Sequence, residues 1–456
     1  MINAQGFGMS KINLVLLSGG SGKRLWPLSN GVRSKQFLKV LKAPNDKYES
    51  MVQRIVRQIS EAGLDASITI ATGISHVDSI ASQLGTSVEV VAEPERRDTF
   101  PAIALASSYL FKSKNLSRDD VVVVMPIDPY TELGYFETIA KMAKAVENNE
   151  ADLVLMGIKP TEPSTKFGYI VPTEKDGEIL KVSRFTEKPT EDIAKELIEN
   201  GALWNGGVFA FKLGYIIDIV AKYVSLDSFA SVREHYKDFP KISFDYEVAE
   251  KAKSIAVVPF SGQWKDLGTW DSLFDEIQEK TIGNVIVDDS ATGTKAINEL
   301  PIPVICLGIK DSVVVASADG IFIGNKESSV NLKSYAESVE NRPMCEERRW
   351  GDYRVLSYDE YPDGMKSLTK ILNFNNGGSV SYQTHNFRDE VWTVSTGTGK
   401  LVLDGVFSDI KRGDVINIKA GQKHAVKGID NLQIIEVQLG SELSEFDIQR
   451  YDLSWE

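Results

Sequence analysis

The stretch Leu14–Ser29, LVLLSGGSGKRLWPLS, with Lys35-Gln36-Phe37 a few residues later, decides how this chain is read. An apolar β-type run ends in Gly19-Gly20-Ser21-Gly22 and at once presents Lys23 and Arg24. Glycines lack a Cβ, so their backbone N–H groups can close around a polyanion while adjacent cations neutralise it. The pattern is that of a strand feeding a phosphate-cradling loop. Spacing excludes two well-known loops. G-x-x-x-x-G-K-[ST] would need glycine at Leu17 and a hydroxyl at Arg24. G-x-G-x-x-G fits Gly20-Ser21-Gly22 but meets Leu25 at its third glycine, and Phe37–Lys42 offers no acid for a ribose.

What remains, G-G-x-G-x-R-L-x-P-L followed by K-Q-F, resembles the signature of the sugar-1-phosphate nucleotidylyltransferases. Trp26 and the K-Q-F form are most similar to the mannose-1-phosphate guanylyltransferase branch. The bland alternative is a glycine-rich turn between strand and helix, against which the ten-residue pattern argues.

The chain has 456 residues, 42% of them hydrophobic, enough for two to four domains with filled cores. A formal charge of −13 argues against nucleic-acid binding by bulk charge, so an anionic substrate needs a local basic cluster. Lys23, Arg24, Arg33 and Lys35 supply one. Cys306 and Cys345 are too few and too far apart for a disulfide framework or a cysteine zinc site. With no signal-peptide pattern and no apolar run long enough to span a bilayer, the expected compartment is cytoplasmic. The small, polar residues 1–10 are left out of the fold argument, Met9 being a possible internal start.

From Lys11 to about residue 280 short apolar runs (13–17, 67–71, 88–92, 121–125, 153–158, 207–211) alternate with helix-period segments (50–62, 102–112, 135–147). That alternation predicts an α/β domain with a mostly parallel, Rossmann-like sheet and ligands at strand carboxyl ends. Residues 281–337, rich in Val and Ile and without a convincing helix, read as a small β connector, and 338–350 as a linker. From about 350 to 456 short strands divided by glycines have the texture of an antiparallel barrel.

Other motifs fall at the ends of the predicted strands. Val121–Met125 runs into Pro126-Ile127-Asp128-Pro129, and Trp264–Trp270 reads W-K-D-L-G-T-W. The resemblance implies that Asp128 and Asp266 are Mg²⁺ ligands, a hard-oxygen pair suited to that ion; the alternative is that each caps a turn. Glu93–Thr99 resembles the family's segment bordering the nucleotide through Arg97, with Asp98 for the usual Asn and Phe100 for Ala. Asp98 and Thr99 serve equally well as helix caps. Phe167-Gly168-Tyr169-Ile170, Phe185-Thr186-Glu187-Lys188-Pro189 and Trp204-Asn205-Gly206-Gly207 are similar to the family's sugar-phosphate elements. They imply hydrogen bonds from Glu187 and Asn205 to sugar hydroxyls, a point charge from Lys188, and close backbone approach at Gly168. Ser243–Glu247 is a weaker addition, in which Asp245 is read as either functional or structural.

Two of the four histidines stand in a cupin-like frame, Gly377-x₅-Gln383-x-His385-x₄-Glu390-x₆-Gly397 and Gly413-x₅-Lys419-x-Gly421-x₂-His424. Gln383, His385, Glu390 and His424 form a plausible set for Zn²⁺, Mn²⁺ or Fe²⁺. In larger bifunctional relatives such a cupin is a phosphomannose isomerase. Here Asn386-Phe387 and Val391 interrupt the histidine-rich pattern, and a barrel kept for packing or dimerisation is the alternative.

The resemblance implies Mg²⁺-dependent synthesis of GDP-mannose from GTP and mannose 1-phosphate. Gly19, Gly20 and Gly22 would line the nucleotide, Lys23 and Arg24 would cradle its phosphates, and Lys35 would serve beside them. A homodimer is expected, with no nucleic-acid or membrane partner. The competing readings are a related sugar 1-phosphate such as a manno-heptose, an added isomerase activity, and a non-catalytic sugar-nucleotide sensor.

Overall fold

The structure, a computed structural model, describes residues 11–20, 23–174, 176–339, 342–444 and 447–455; Ser21 and Gly22 of the phosphate loop lie outside them. The apolar run of the opening motif is strand β1 (Ile12–Ser18), buried along nearly its whole length. Four further strands and the helices between them build the N-terminal half of this domain. These are α1 (Met51–Glu61), β2 (Ala66–Gly73), α2 (Val77–Leu84), β3 (Glu89–Glu93), α3 (Thr99–Lys112), β4 (Val121–Pro126), β5 (Pro129–Thr131) and α4 (Gly134–Glu147). The second half adds β6 (Leu153–Ile158), β7 (Tyr169–Pro172), β8 (Leu180–Thr186), β9 (Leu203–Lys212), β10 (Ile255–Phe260) and β11 (Trp264–Asp266).

The main sheet has nine strands in the order β3-β2-β1-β4-β9-β6-β10-β8-β7. The α/β architecture read from the alternation is present. Parallel pairing runs through β3-β2-β1-β4 and again between β6 and β10. β9 enters antiparallel between β4 and β6, after the β7–β8 hairpin and the short helix Glu191–Glu199. The run 207–211 thus belongs to a longer strand than its apolar core suggests. Strands buried on both faces, such as β4 (Val-Val-Val-Val-Met) and β6, read as continuous apolar runs for that reason.

Residues 281–317 form stacked parallel rungs, 281–283 on 295–298 on 312–317 and 285–287 on 304–306, and Gly320–Asn325 folds back antiparallel on 312–317. A helix absent from the sequence reading follows at Leu332–Glu337. Its six residues are too few for periodicity to reveal. The connector is packed under the phosphate loop. Leu25 and Leu28 of the loop, Leu267, Trp270 and Leu273 after β11, and Ile297, Val313, Val315 and Leu332 of the connector share one buried cluster. Each such side chain contributes about 1.5–3 kcal/mol of burial.

The segment expected as a linker is only partly one. Cys345–Arg348 is a strand, paired antiparallel with Gly351–Glu360 at the edge of the C-terminal sheet. Its charged sequence disguised it: Glu347 bonds Lys39 and Gln83 of the first domain, Arg348 reaches Asp78, and Glu346 turns inward to the Tyr353 hydroxyl. Beyond it an antiparallel sheet curls on itself: His424–Gly440 pairs on one side with Lys366–Phe374 and on the other with Arg388–Leu403. A core of Leu368, Trp392, Val394, Val426 and Ile434 fills it.

Candidate active site

β1 and β4 are parallel neighbours, with Leu17 opposite Pro126. The loop after β1 and the Asp128 turn after β4 therefore emerge side by side at the carboxyl edge of the sheet. β5 and β11 then pair antiparallel, with Asp266 opposite Pro129. This two-strand ribbon brings Asp266 beside Asp128. Between the carboxylates stands Lys35, its Nζ 2.7 Å from Asp128 Oδ2 and 3.1 Å from Asp266 Oδ1. Burial disfavours the ammonium, but the two carboxylates outweigh it and raise Lys35 above the usual lysine range. Both aspartates already converge on one cation, which is the arrangement that Mg²⁺ requires of carboxylate donors.

The Lys35 turn is itself held. Ser34 Oγ lies 2.8 Å from His76 Nε2, and Gln36 Nε2 donates to Ser18 Oγ at 3.0 Å. Burial and the charge of Arg96 push His76 down to about 4, so it is a neutral hydrogen-bonding group. Of the other cations, Arg24 is exposed, as are Gly19 and Gly20 beside it. Lys23 Nζ reaches the Ala336 carbonyl of the connector helix at 3.4 Å. Arg33, counted in the basic cluster, makes a bidentate pair with Glu299 of the connector at 2.8 and 2.9 Å, so it braces the loop. The connector grips the loop twice more: Ser317 Oγ donates to the Pro27 carbonyl, and Asn30 Nδ2 donates to Asp319 Oδ2.

The three sugar-type motifs converge. Asn205 N donates to the Gly168 carbonyl at 2.7 Å, and a Cβ at Gly168 would collide with the Glu187 carboxylate. Asn205 Nδ2 donates to Asp245 Oδ1 at 2.6 Å, and Lys188 Nζ is 3.0 Å from Glu187 Oε1. Burial, then the nearby Glu187 charge, raise Asp245 to about 6. Phe167 packs on both Trp204 and Trp264, tying this group to the strand that carries Asp266. Arg97 sits apart, its guanidinium on Glu95 and on the Phe239 carbonyl. Asp98 takes the capping side of its two readings, with Oδ1 accepting from Thr99 N.

In the C-terminal sheet the side chains of His385, Glu390 and His424 place one donor atom each within 4.8 Å of one another, all buried. His385 Nδ1 is bonded to the Asp447 carbonyl and His424 Nδ1 to the Gln422 carbonyl, which turns both Nε2 atoms toward Glu390. His424 Nε2 is buried without a hydrogen-bond partner, an orphaned donor atom that a metal ion would satisfy. Gln383 Nε2 lies 3.3 Å from His385 Nε2. Arg388, also buried, donates to Glu390 Oε1 and approaches His385 Nε2. Burial holds His385 below its usual range, in the neutral form that binds metals. Glu436 and Gln438 extend this network through Trp392 and Glu390. They were not singled out in the sequence, although polar residues in the inward phase of an alternating strand are a readable signal.

Residues 13–282 match the family described as Nucleotidyl transferase, and residues 338–453 the one described as Mannose-6-phosphate isomerase C-terminal. The chain is 30% identical to the alginate biosynthesis protein AlgA of Pseudomonas putida, covering 96% of this chain and 95% of that one. It is 29% identical to the mannose-1-phosphate guanylyltransferase of Escherichia coli K12, covering 97% and 98%. A solved structure described as mannose-1-phosphate geranyltransferase from Thermus thermophilus superposes with a TM-score of 0.60 at 27% identity, over 73% of this chain and all of that one.

Proposed function

This chain belongs to the nucleotidyl transferase family, and on that premise we propose that it is a mannose-1-phosphate guanylyltransferase. It joins GTP and α-D-mannose 1-phosphate to give GDP-mannose and diphosphate. The observation that carries this reading is the convergence of Asp128, Asp266 and Lys35 beside the glycine loop. A phosphate oxygen of the sugar 1-phosphate attacks the α-phosphorus of GTP; the new P–O bond forms as the bond to diphosphate breaks. The attacking oxygen is already charged, so the site needs no strong general base, only alignment and neutralisation of charge. The backbone at Gly19 and Gly20 approaches the triphosphate, the role the motif also implies for Gly22, and Lys23 and Arg24 neutralise it. Arg97 borders the nucleotide. Asp128 and Asp266 would hold Mg²⁺, which supplies electrostatic stabilisation of the phosphate oxygens when bound. Lys35 keeps that carboxylate pair together. Glu187 and Asn205 orient the sugar hydroxyls at the space that Gly168 leaves, and Lys188 meets the sugar phosphate.

The test is formation of GDP-mannose from GTP, mannose 1-phosphate and Mg²⁺ by purified chain. Loss of product in Asp266→Asn with an unchanged circular dichroism spectrum supports the reading; a variant at wild-type turnover contradicts it.

The orphaned His424 Nε2 favours a second activity. Gln383, His385, Glu390 and His424 would hold Zn²⁺, Mn²⁺ or Fe²⁺, and the C-terminal domain would interconvert mannose 6-phosphate and fructose 6-phosphate. Metal content and interconversion with each added ion test this. The working compartment we propose is the cytoplasm; among the described residues no helix is long and apolar enough to cross a membrane. We propose a homodimer through the connector, where Ile286 and Ile305 are adjacent register partners and both are more than half exposed. Light scattering of Ile286→Glu, Ile305→Glu against the native chain tests it.

A further inference from the structure

Helix α2 lies between the two halves of the molecule and touches both. On the transferase side its two ends flank the turn that carries Lys35. His76, immediately before it, bonds Ser34, and Gln83, near its end, donates from Nε2 to the Phe37 carbonyl at 3.0 Å. On the other side the same helix meets the strand Cys345–Arg348. Gln83 Nε2 also donates to Glu347 Oε2 at 2.6 Å. Asp78 takes Arg349 Nε at 2.9 Å and Arg348 NH1 at 3.6 Å, while Arg348 NH2 is 2.8 Å from Glu346.

Those two arginines line a cavity of about 530 Å³ in the C-terminal domain, together with Lys370, Arg388 and Arg450. Asp78 lines it too, so the first domain supplies part of the wall of a cavity in the second. The wall is a carboxylate resting on guanidinium groups, in a cavity whose five cations outnumber its three carboxylates, Asp78, Glu390 and Glu436. Arg349 is 72% exposed at its side chain, and ion pairs so exposed are weak and screened by salt. A phosphate dianion carries more charge and more acceptor oxygens than one aspartate, so it can take both guanidinium groups at once.

We propose that Asp78 is an internal stand-in for a phosphomonoester at the mouth of this cavity. A phosphorylated ligand takes Arg348 and Arg349 from Asp78, releases α2, and so slackens the Lys35 turn in the transferase site. Binding at one site and transfer at the other are then coupled through one helix, and coupling of binding affinities runs in both directions. This rests on the guanylyltransferase reading, because the Lys35 turn is where the coupling is felt.

The test uses the full chain with mannose 6-phosphate as the probe. Diphosphate release from GTP and Mg²⁺ is followed at saturating mannose 1-phosphate while the probe is titrated; probe binding is measured in parallel by calorimetry. The rate without probe reads the transferase assignment alone. With probe, the native chain is expected to slow by about fivefold. Asp78→Asn should bind the probe more tightly, Arg349→Ala more weakly. Gln83→Ala should bind it as the native chain does but lose the rate response. The proposal is overturned if the probe does not bind, or if it binds and leaves the native rate unchanged. It is equally overturned if Asp78→Asn binds no tighter, or if Gln83→Ala keeps the response, which would mean that the effect does not pass through the Gln83 contacts. If no substrate pair releases diphosphate, the transferase reading fails while the calorimetric arm still decides the role of Asp78.

Discussion

Lys35 shows how much a single side chain does in this site. It neutralises two carboxylates that would otherwise repel each other at close range, and both are placed by strand ends far apart in the sequence. Asp266→Asn removes one charge of that set; the maximal rate should fall about 10²–10³-fold with the melting temperature little changed, as read by steady-state kinetics and thermal denaturation. Asp245 carries a second, independent expectation. Its acid is raised from 3.8 to about 6 by burial and by Glu187, so the folded chain holds this proton more tightly than the unfolded chain does. Stability from this group is therefore fully present below pH 4 and is lost as pH rises toward 6, on the order of 3 kcal/mol. Relative to Asp245→Asn, the native chain should lose melting temperature between pH 4 and 6 and run parallel to it above pH 7. A difference independent of pH would show that Asp245 titrates normally.

At the scale of elements, the ribbon of β5 and β11 and the rungs beneath the loop give the site its shape. Gly320 sits at φ +152, and a Cβ there would run into the Trp26 ring. Gly320→Val should cost about 1–3 kcal/mol of stability and displace the loop, lowering kcat; unchanged melting and kcat would show that the connector does not position it. Little of this was legible in the sequence. The strand–loop motif, Asp128, Asp266 and the Gly168, Glu187 and Asn205 set are local patterns with their own residue signatures. The roles of Arg33, His76 and Gln83 depend on partners that only the folded chain brings near, and a charged strand edge such as Cys345–Arg348 has no alternation to announce it. The C-terminal histidines were legible through glycine spacing, and His424→Asn should lower bound metal, measured by plasma emission, well below one ion per chain.

The whole molecule reads as two sites held on one connected frame. Lys39 and Gln83 both reach Glu347, and Asp319 of the connector bonds both Asn30 near the loop and the Met344 backbone at the start of the C-terminal sheet. The first domain thus meets the connector and the second domain around its phosphate loop. This arrangement makes sense if the loop handles the reacting nucleotide. The measurement that tests that most directly is diphosphate release with Mg²⁺ across a matrix of the four nucleoside triphosphates and several sugar 1-phosphates, a manno-heptose 1-phosphate among them. GTP with mannose 1-phosphate should give the highest kcat/KM. Preference for UTP or dTTP, or for the heptose, would contradict the assigned substrates, and silence in every pair would contradict catalysis itself and leave a sugar-nucleotide sensor.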